Sequence, residues 1–203
     1  RHAADLETNS QEAAFVTPGG SLHTKTWDRV AVGDVLVVRD GEEFPADLVA
    51  IYCSGAGGTA YVSTANLDGE TNLKVKEAVD PTQQLVEGPA DEEALLQKLV
   101  DIKASVEVEP PQVSIHDFRA RIQVNDGAFT SLCSQNLMLR GTRLRNTRLC
   151  LGIVVYTGPD TRVIRNSREA PLKQSNLETV TNRVMLVVLA AQAGLASLST
   201  LLF

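Results

Sequence analysis

Short apolar runs separated by turn residues fill most of the chain between residues 26 and 161. The runs are rich in the β-branched and aromatic residues that favour strands. They cover residues 35–38, 48–52, 61–65, 73–79, 113–124, 136–145 and 148–156. Dipeptides that favour turns, such as Asp40-Gly41 and Gly158-Pro159, lie between the runs. The pattern predicts a mainly β domain in which the first two runs pair with each other across Asp40-Gly41.

The segment between Ala90 and Lys103 has a helical period instead. Its apolar residues recur at the spacing of one helix face, and its acidic residues lie near the positive N-terminal end of that helix. The apolar positions are Leu95, Leu96, Leu99, Val100 and Ile102. We therefore predict one amphipathic helix at about 90–103. Seven or more strands with one or two helices indicate a β-sandwich or a jelly-roll.

The C-terminal segment is apolar and uncharged from Val184 to Phe203. A helix of about 20 residues, at about 1.5 Å per residue, spans the roughly 30 Å hydrocarbon layer of a membrane. The segment therefore predicts the start of a transmembrane helix. Gln192, Ser197 and the alanine-rich middle leave a buried soluble helix as the alternative. Residues 162–183 are polar and form a predicted helical linker.

The charge is unevenly distributed along the chain, whose formal net charge is −6. Residues 140–203 hold 9 Lys and Arg against 3 Asp and Glu, whereas residues 1–139 hold 10 against 22. Because the basic part lies beside the apolar end, the asymmetry favours a cytosolic position close to a membrane over nucleic-acid binding. A solvated strand face that carries the arginines at 140, 143, 145 and 148 is the alternative.

Cysteine and histidine positions do not suggest a metal site. Cys53, Cys133 and Cys150 are not at the close spacing of zinc or redox motifs, and the three histidines are far apart in the sequence. We expect reduced thiols in a cytosolic domain and predict no metal site. Residues 1–25 are polar and glycine-rich and do not form a signal peptide, so we expect the chain to be a segment of a longer protein.

Four blocks of sequence carry a family resemblance. They are Val32–Val35 with Phe44–Leu48, then Ser63–Lys74, Asn136–Gly141 and Val155–Thr161. Their order and intervals resemble the actuator domain of P-type ATPases. The residues Asp68-Gly69-Glu70-Thr71 resemble the form of the actuator loop found in the type IV subfamily, the phospholipid-transporting ATPases or lipid flippases.

The resemblance implies an architecture for the whole chain. Residues 1–25 would be a polar lead-in from a preceding membrane helix, and residues 26–161 a distorted jelly-roll or β-sandwich actuator domain. The linker 162–183 and the transmembrane helix that starts at 184 would follow. The domain would lie on the cytosolic side of a multi-pass membrane protein.

The resemblance also implies the chemistry of the loop. Glu70 would be the catalytic residue that positions water to hydrolyse an aspartyl phosphate formed in another domain. Gly69 would let the backbone approach the phosphate, and Thr71 would offer its hydroxyl and its backbone N–H. Asp68 would hold the turn by accepting local hydrogen bonds.

The full-length protein would be an ATP-hydrolysing enzyme that uses ATP and Mg²⁺, neither of which this chain is expected to bind. The chain contains no phosphorylatable Asp-Lys-Thr-Gly motif, so on its own it should be inactive. The expected partners are the phosphorylation domain of the same polypeptide, a phospholipid substrate and an accessory subunit, but no nucleic acid. The alternatives are a non-catalytic actuator-like regulatory module and an unrelated membrane-tethered β-sandwich.

Overall fold

The computed structural model describes residues 8–86, 91–115, 117–168 and 176–201. The chain divides into two units, residues 1–169 and residues 170–203. The first unit is mainly β, as the apolar pattern predicts. The strands of its described residues are β1 (Glu12–Val16), β2 (Leu22–Thr26), β3 (Val35–Arg39), β4 (Asp47–Cys53), β5 (Thr59–Ser63), β6 (Lys74–Glu77), β7 (Ala104–Val108), β8 (Ala120–Val124), β9 (Phe129–Leu132), β10 (Leu137–Met138), β11 (Arg143–Arg145) and β12 (Leu149–Tyr156).

These strands form three antiparallel sheets. The largest has the order β10-β4-β12-β3-β1-β2, and two three-stranded sheets have the orders β11-β5-β6 and β7-β8-β9. The predicted pairing of β3 with β4 is wrong, because β12 lies between them. The segment that joins β3 to β4 bonds instead to β11 and to the residue that precedes it. Gly41 N–H donates to the Leu144 carbonyl oxygen and Phe44 N–H to that of Thr142, both at 2.9 Å.

Both faces of the six-stranded sheet are covered. Along β4, Leu48 and Ala50 pack into one apolar cluster together with Val62 of β5, and Ile51 packs into another cluster on the opposite face. The second cluster includes Leu95 from a helix. Since side chains alternate between the faces of a strand, a strand buried on both faces reads as an unbroken apolar run, as β4 does.

Besides the helical residues 8–9, five α-helices lie in the described residues. They are α1 (Ala65–Asp68), α2 (Asp80–Val86), α3 (Glu92–Val100), α4 (Arg162–Arg168) and α5 (Asn176–Leu201). The predicted amphipathic helix is α3; it is shorter than expected, and Ala90 lies outside the described residues. Helix α2 was not predicted, although its Asp80-Pro81 start is a recognised helix-opening signal.

The β-rich unit includes residues that the sequence prediction placed outside it. Residues 12–26, all but the last of them in the predicted lead-in, form the hairpin β1–β2, and Ala14 of β1 is the partner of Val37 in β3. The intervening Pro18-Gly19-Gly20 forms the turn of this hairpin. The first seven residues lie outside the described residues.

The described part of the second unit is α5. The described apolar side chains of this helix are exposed, among them Met185, Leu186 and Val187. Within the part of the chain that the structure describes, no helix combines the length and apolarity needed to cross a membrane. The transmembrane helix predicted from residue 184 is therefore not confirmed and stays a prediction.

Candidate functional site at the loop between β5 and β6

The loop that contains Asp68 to Thr71 joins two paired strands. Strands β5 and β6 run antiparallel, and their last partners before the loop are Val62 and Lys74. The chain leaves β5 into the single turn of α1, and Gly69 ends that turn with φ 74°. A Cβ atom at Gly69 would meet no atom within 4 Å, so the positive φ angle, rather than crowding, requires glycine here.

Asp68 is the centre of the local hydrogen bonds. The hydroxyl of the buried Thr64 donates to its carboxylate, with Oγ1 at 2.9 Å from Oδ1 and 3.0 Å from Oδ2. The backbone N–H of Glu70 donates to Oδ1 at 3.0 Å, and Lys74 Nζ lies 3.2 Å from Oδ2. These contacts, the Glu70 N–H first among them, lower the pKa of Asp68. Asp68 therefore remains an anion that holds the loop together.

Glu70 and Thr71 are exposed at the tip of the loop. The Glu70 side chain is 58% exposed, and its Oε2 lies 2.9 Å from Lys74 Nζ. The hydrogen bonds of Lys74 to Glu70 and Asp68 raise the pKa of Lys74. The Glu70 carboxylate is thus open to a second body that approaches the loop.

Residues next to or within two other sequence blocks contact α1. Asn66 Nδ2 donates to Glu43 Oε1 at 3.0 Å, and the same oxygen accepts from Arg143 Nη2 at 2.6 Å. On the other side, a Cβ built on Gly141 would lie 3.7 Å from Leu67 Cδ2, so the leucine side chain covers this glycine. Gly141 of the third block therefore lies next to the block that contains the loop.

A buried carboxyl group lies at one end of the six-stranded sheet. Asp47, at the start of β4, accepts hydrogen bonds from the backbone N–H groups of Arg140 at 2.9 Å and of Arg162 at 2.8 Å. Its side chain is fully buried, and this burial raises the pKa of Asp47 to about 6 although the two N–H donors and both arginines lower it.

Arg162 fixes the start of α4. It is fully buried, and its Nη2 lies 2.7 Å from Glu109 Oε1. Its guanidinium also donates to the carbonyl oxygens of Ser114 and Asp117. A buried arginine that is paired and hydrogen-bonded in this way holds the segment 109–118 against the first residue of α4.

The structure brings all four predicted loop residues together and adds two that the sequence reasoning gave no role. Thr64 lies four residues before Asp68, a spacing that places the two side chains on one side of a helical turn. Lys74 follows the loop as the first residue of β6. Among the residues that the structure describes, no group of His, Cys, Asp and Glu side chains could hold a metal ion.

Comparison with known proteins found matches over most of the chain. The family model of the P-type ATPase actuator domain matches residues 8–170. Probable phospholipid-transporting ATPase 12 of Arabidopsis thaliana is 34% identical over 203 residues, which are 100% of this chain and 16% of that protein. Phospholipid-transporting ATPase tat-1 of Caenorhabditis elegans is 34% identical over 199 residues, 98% of this chain and 17% of that protein.

A human relative extends the comparison. Phospholipid-transporting ATPase ID of Homo sapiens is 33% identical over 186 residues, 92% of this chain and 15% of that protein. The chain thus spans about a sixth of the length of these relatives. The match of the family model over most of the chain gives the assignment. The chain belongs to the P-type ATPase actuator domain family.

Proposed function

We propose that this chain is the actuator segment of an ATP-driven, phospholipid-translocating P-type ATPase. In this proposal the loop Asp68–Thr71 docks on a phosphorylated aspartate of another domain, and Glu70 positions the water that hydrolyses the aspartyl phosphate. The observation that carries the proposal is the exposed Glu70 carboxylate at the tip of a loop that Asp68 and Thr64 hold in place. The names of the relatives, all phospholipid-transporting ATPases, support the substrate class.

The residue types in the loop suit this chemistry. Water attacks the phosphorus atom, the bond between phosphorus and the aspartate oxygen breaks, and a base must take up the proton of the water. A carboxylate can both orient the water and accept its proton, a contribution of about 10² to 10⁴ in rate. Four local contacts hold Asp68, whereas Glu70 is more than half exposed and is bound to Lys74 through Oε2, so Glu70 is the loop carboxylate placed to act as the base. Thr71, exposed beside it, can donate its hydroxyl to a phosphoryl oxygen.

The remaining components belong to the rest of the proposed protein. ATP and Mg²⁺ would act in domains outside this chain, and no residue described above is proposed to hold either. The phosphorylation domain of the same polypeptide would be the docking partner, the phospholipid would bind in the membrane part, and an accessory subunit is a further expected partner. The actuator domain would lie in the cytosol, and α5 would enter the membrane from Val184 onward, supported by its exposed apolar side chains.

Substitution of Glu70 tests the proposal. In the full-length protein that carries this sequence, Glu70→Gln keeps the size of the side chain and removes the base. Phosphoenzyme should still form from ATP labelled on its γ-phosphate, whereas its hydrolysis should slow by roughly 10² or more. Glu77→Gln is the matched control, because Glu77 is an exposed carboxylate of β6 outside the loop.

The same experiment separates the proposal from its alternative. A non-catalytic actuator-like module would show no labelled phosphoenzyme in the wild-type protein. The relatives do not favour that alternative, since each is named as an ATPase. If Glu70→Gln and Glu77→Gln both hydrolyse phosphoenzyme at the wild-type rate, Glu70 is not the base.

A further inference from the structure

Lys74 forms a cationic bridge between the two carboxylates of the loop. Its ammonium nitrogen lies 2.9 Å from Glu70 Oε2 and 3.2 Å from Asp68 Oδ2. The next lysine of β6 has a different partner: Lys76 Nζ donates to the Ser134 carbonyl oxygen at 2.6 Å. Lys74 is thus a cation whose described contacts are directed at the loop.

The bridge connects the loop tip to the buried frame of the domain. Thr64 is buried and binds Asp68, Asp68 binds Lys74, and Lys74 binds Glu70. Lys74 is also the register partner of Val62, so its backbone is fixed in the sheet. Without the ammonium group, the Glu70 carboxylate would lose the contact with Lys74 that holds its orientation.

The proposed reaction gives this cation a task. A phosphoryl group carries negative charge on its non-bridging oxygens, and the loop brings two further anions, Asp68 and Glu70, towards it. These negative charges repel one another strongly once the docked loop excludes water from the phosphoryl group. A cation between the two carboxylates offsets that repulsion while leaving one oxygen of Glu70 for the water.

We propose that Lys74 is a positioning residue for the hydrolytic step, which holds the Glu70 carboxylate in place and screens it from the phosphoryl oxygens. This inference rests on the proposed function of Glu70. Lys74 contributes through Glu70 and is not assigned a contact with the phosphoryl group. Because the pair is exposed, it adds little to folding stability, so its removal should affect the reaction rather than the fold.

The test is a double-mutant cycle on the decay of preformed phosphoenzyme. The full-length protein is loaded with ATP labelled on its γ-phosphate, chased with unlabelled ATP, and quenched with acid at successive times. Lys74→Met should slow the decay about tenfold in the wild-type background, and less than about twofold when Glu70→Gln is already present. Lys74→Arg, which keeps the charge, should restore the decay to within about threefold of wild type. Lys98→Met, an exposed lysine of α3, controls for the loss of one positive charge.

The outcomes distinguish this inference from the function on which it rests. If Glu70→Gln slows the decay and Lys74→Met leaves it at the wild-type rate, the inference about Lys74 fails alone. If Lys74→Met slows both backgrounds equally, Lys74 does not act through Glu70, and the inference is overturned. If Glu70→Gln itself decays at the wild-type rate, the proposed function fails. Unchanged formation of phosphoenzyme in the Lys74 variants shows that they are folded.

Discussion

Substitution of the buried Asp47 should change how the stability of the domain depends on pH. Asp47 has its pKa raised from its ordinary value of 3.8 to about 6, chiefly by burial. Between these two values the folded protein holds a proton that the unfolded chain has already released. The stabilisation from this group is therefore complete below about pH 4 and is lost as the pH rises through about 6.

The size of the effect follows from the two pKa values. Each unit of difference corresponds to about 1.4 kcal/mol, so the free energy of unfolding should fall by about 3 kcal/mol from this group alone between roughly pH 4 and pH 7. The fully buried side chain justifies the conversion, because solvent does not screen it. Asp47→Asn removes the titration and should remove this part of the pH dependence.

Urea unfolding of this chain, followed by far-ultraviolet circular dichroism at half-unit steps of pH, measures the effect. The quantity to compare is the slope of the unfolding free energy with pH, since Asp47→Asn also loses one acceptor for the N–H groups of Arg140 and Arg162 and lowers the stability at every pH. Asp28→Asn, at an exposed position, removes the same charge without removing a buried group. Equal slopes of the unfolding free energy with pH for the wild type and Asp47→Asn would refute the reasoning.

Two further predictions concern other parts of the chain. Gly69→Ala should lower the free energy of unfolding by about 1–2 kcal/mol in urea melts, because Ala is strained at positive φ. The control Gly19→Ala, at a position with open space and no positive φ, should change the free energy of unfolding by less than about 0.5 kcal/mol. Equal effects of the two substitutions would contradict the conclusion that Gly69 is required by its positive φ angle. A peptide of residues 176–203 should insert into phospholipid vesicles as a helix, detected by oriented circular dichroism; a peptide that stays in the aqueous phase would favour the soluble-helix alternative.

The sequence pattern located several local elements of the fold and missed others, among them α2 and the β1–β2 hairpin. Short apolar, β-branched runs located β3 and β4, and helical spacing located α3, because each signal lies within a few adjacent residues. The order of the strands depends on contacts between residues far apart in the chain. Cys53 and Cys150 show this: 97 residues separate them, yet their Sγ atoms lie 3.5 Å apart because β12 pairs with β4.

The candidate site likewise contains residues that the sequence can locate and contacts that only the fold creates. Asp68 to Thr71 are contiguous, so a motif could locate them and a glycine at positive φ could be anticipated. The bridge of Lys74 could not be anticipated, because the pairing of β5 with β6 and the turn of α1 bring its side chain to the loop. The contact of Asp47 with Arg162 joins positions 115 residues apart and required the folded structure.

The decay rate of phosphoenzyme in the Glu70→Gln variant of the full-length protein tests the central claim most directly. The variant should load labelled phosphate from ATP as the wild type does, and the acid-quenched label should then persist with a decay at least about 10² slower than that of the wild type. Decay at the wild-type rate, or loss of phosphoenzyme formation in a folded variant, would contradict the assignment of Glu70 as the residue that positions and deprotonates the attacking water.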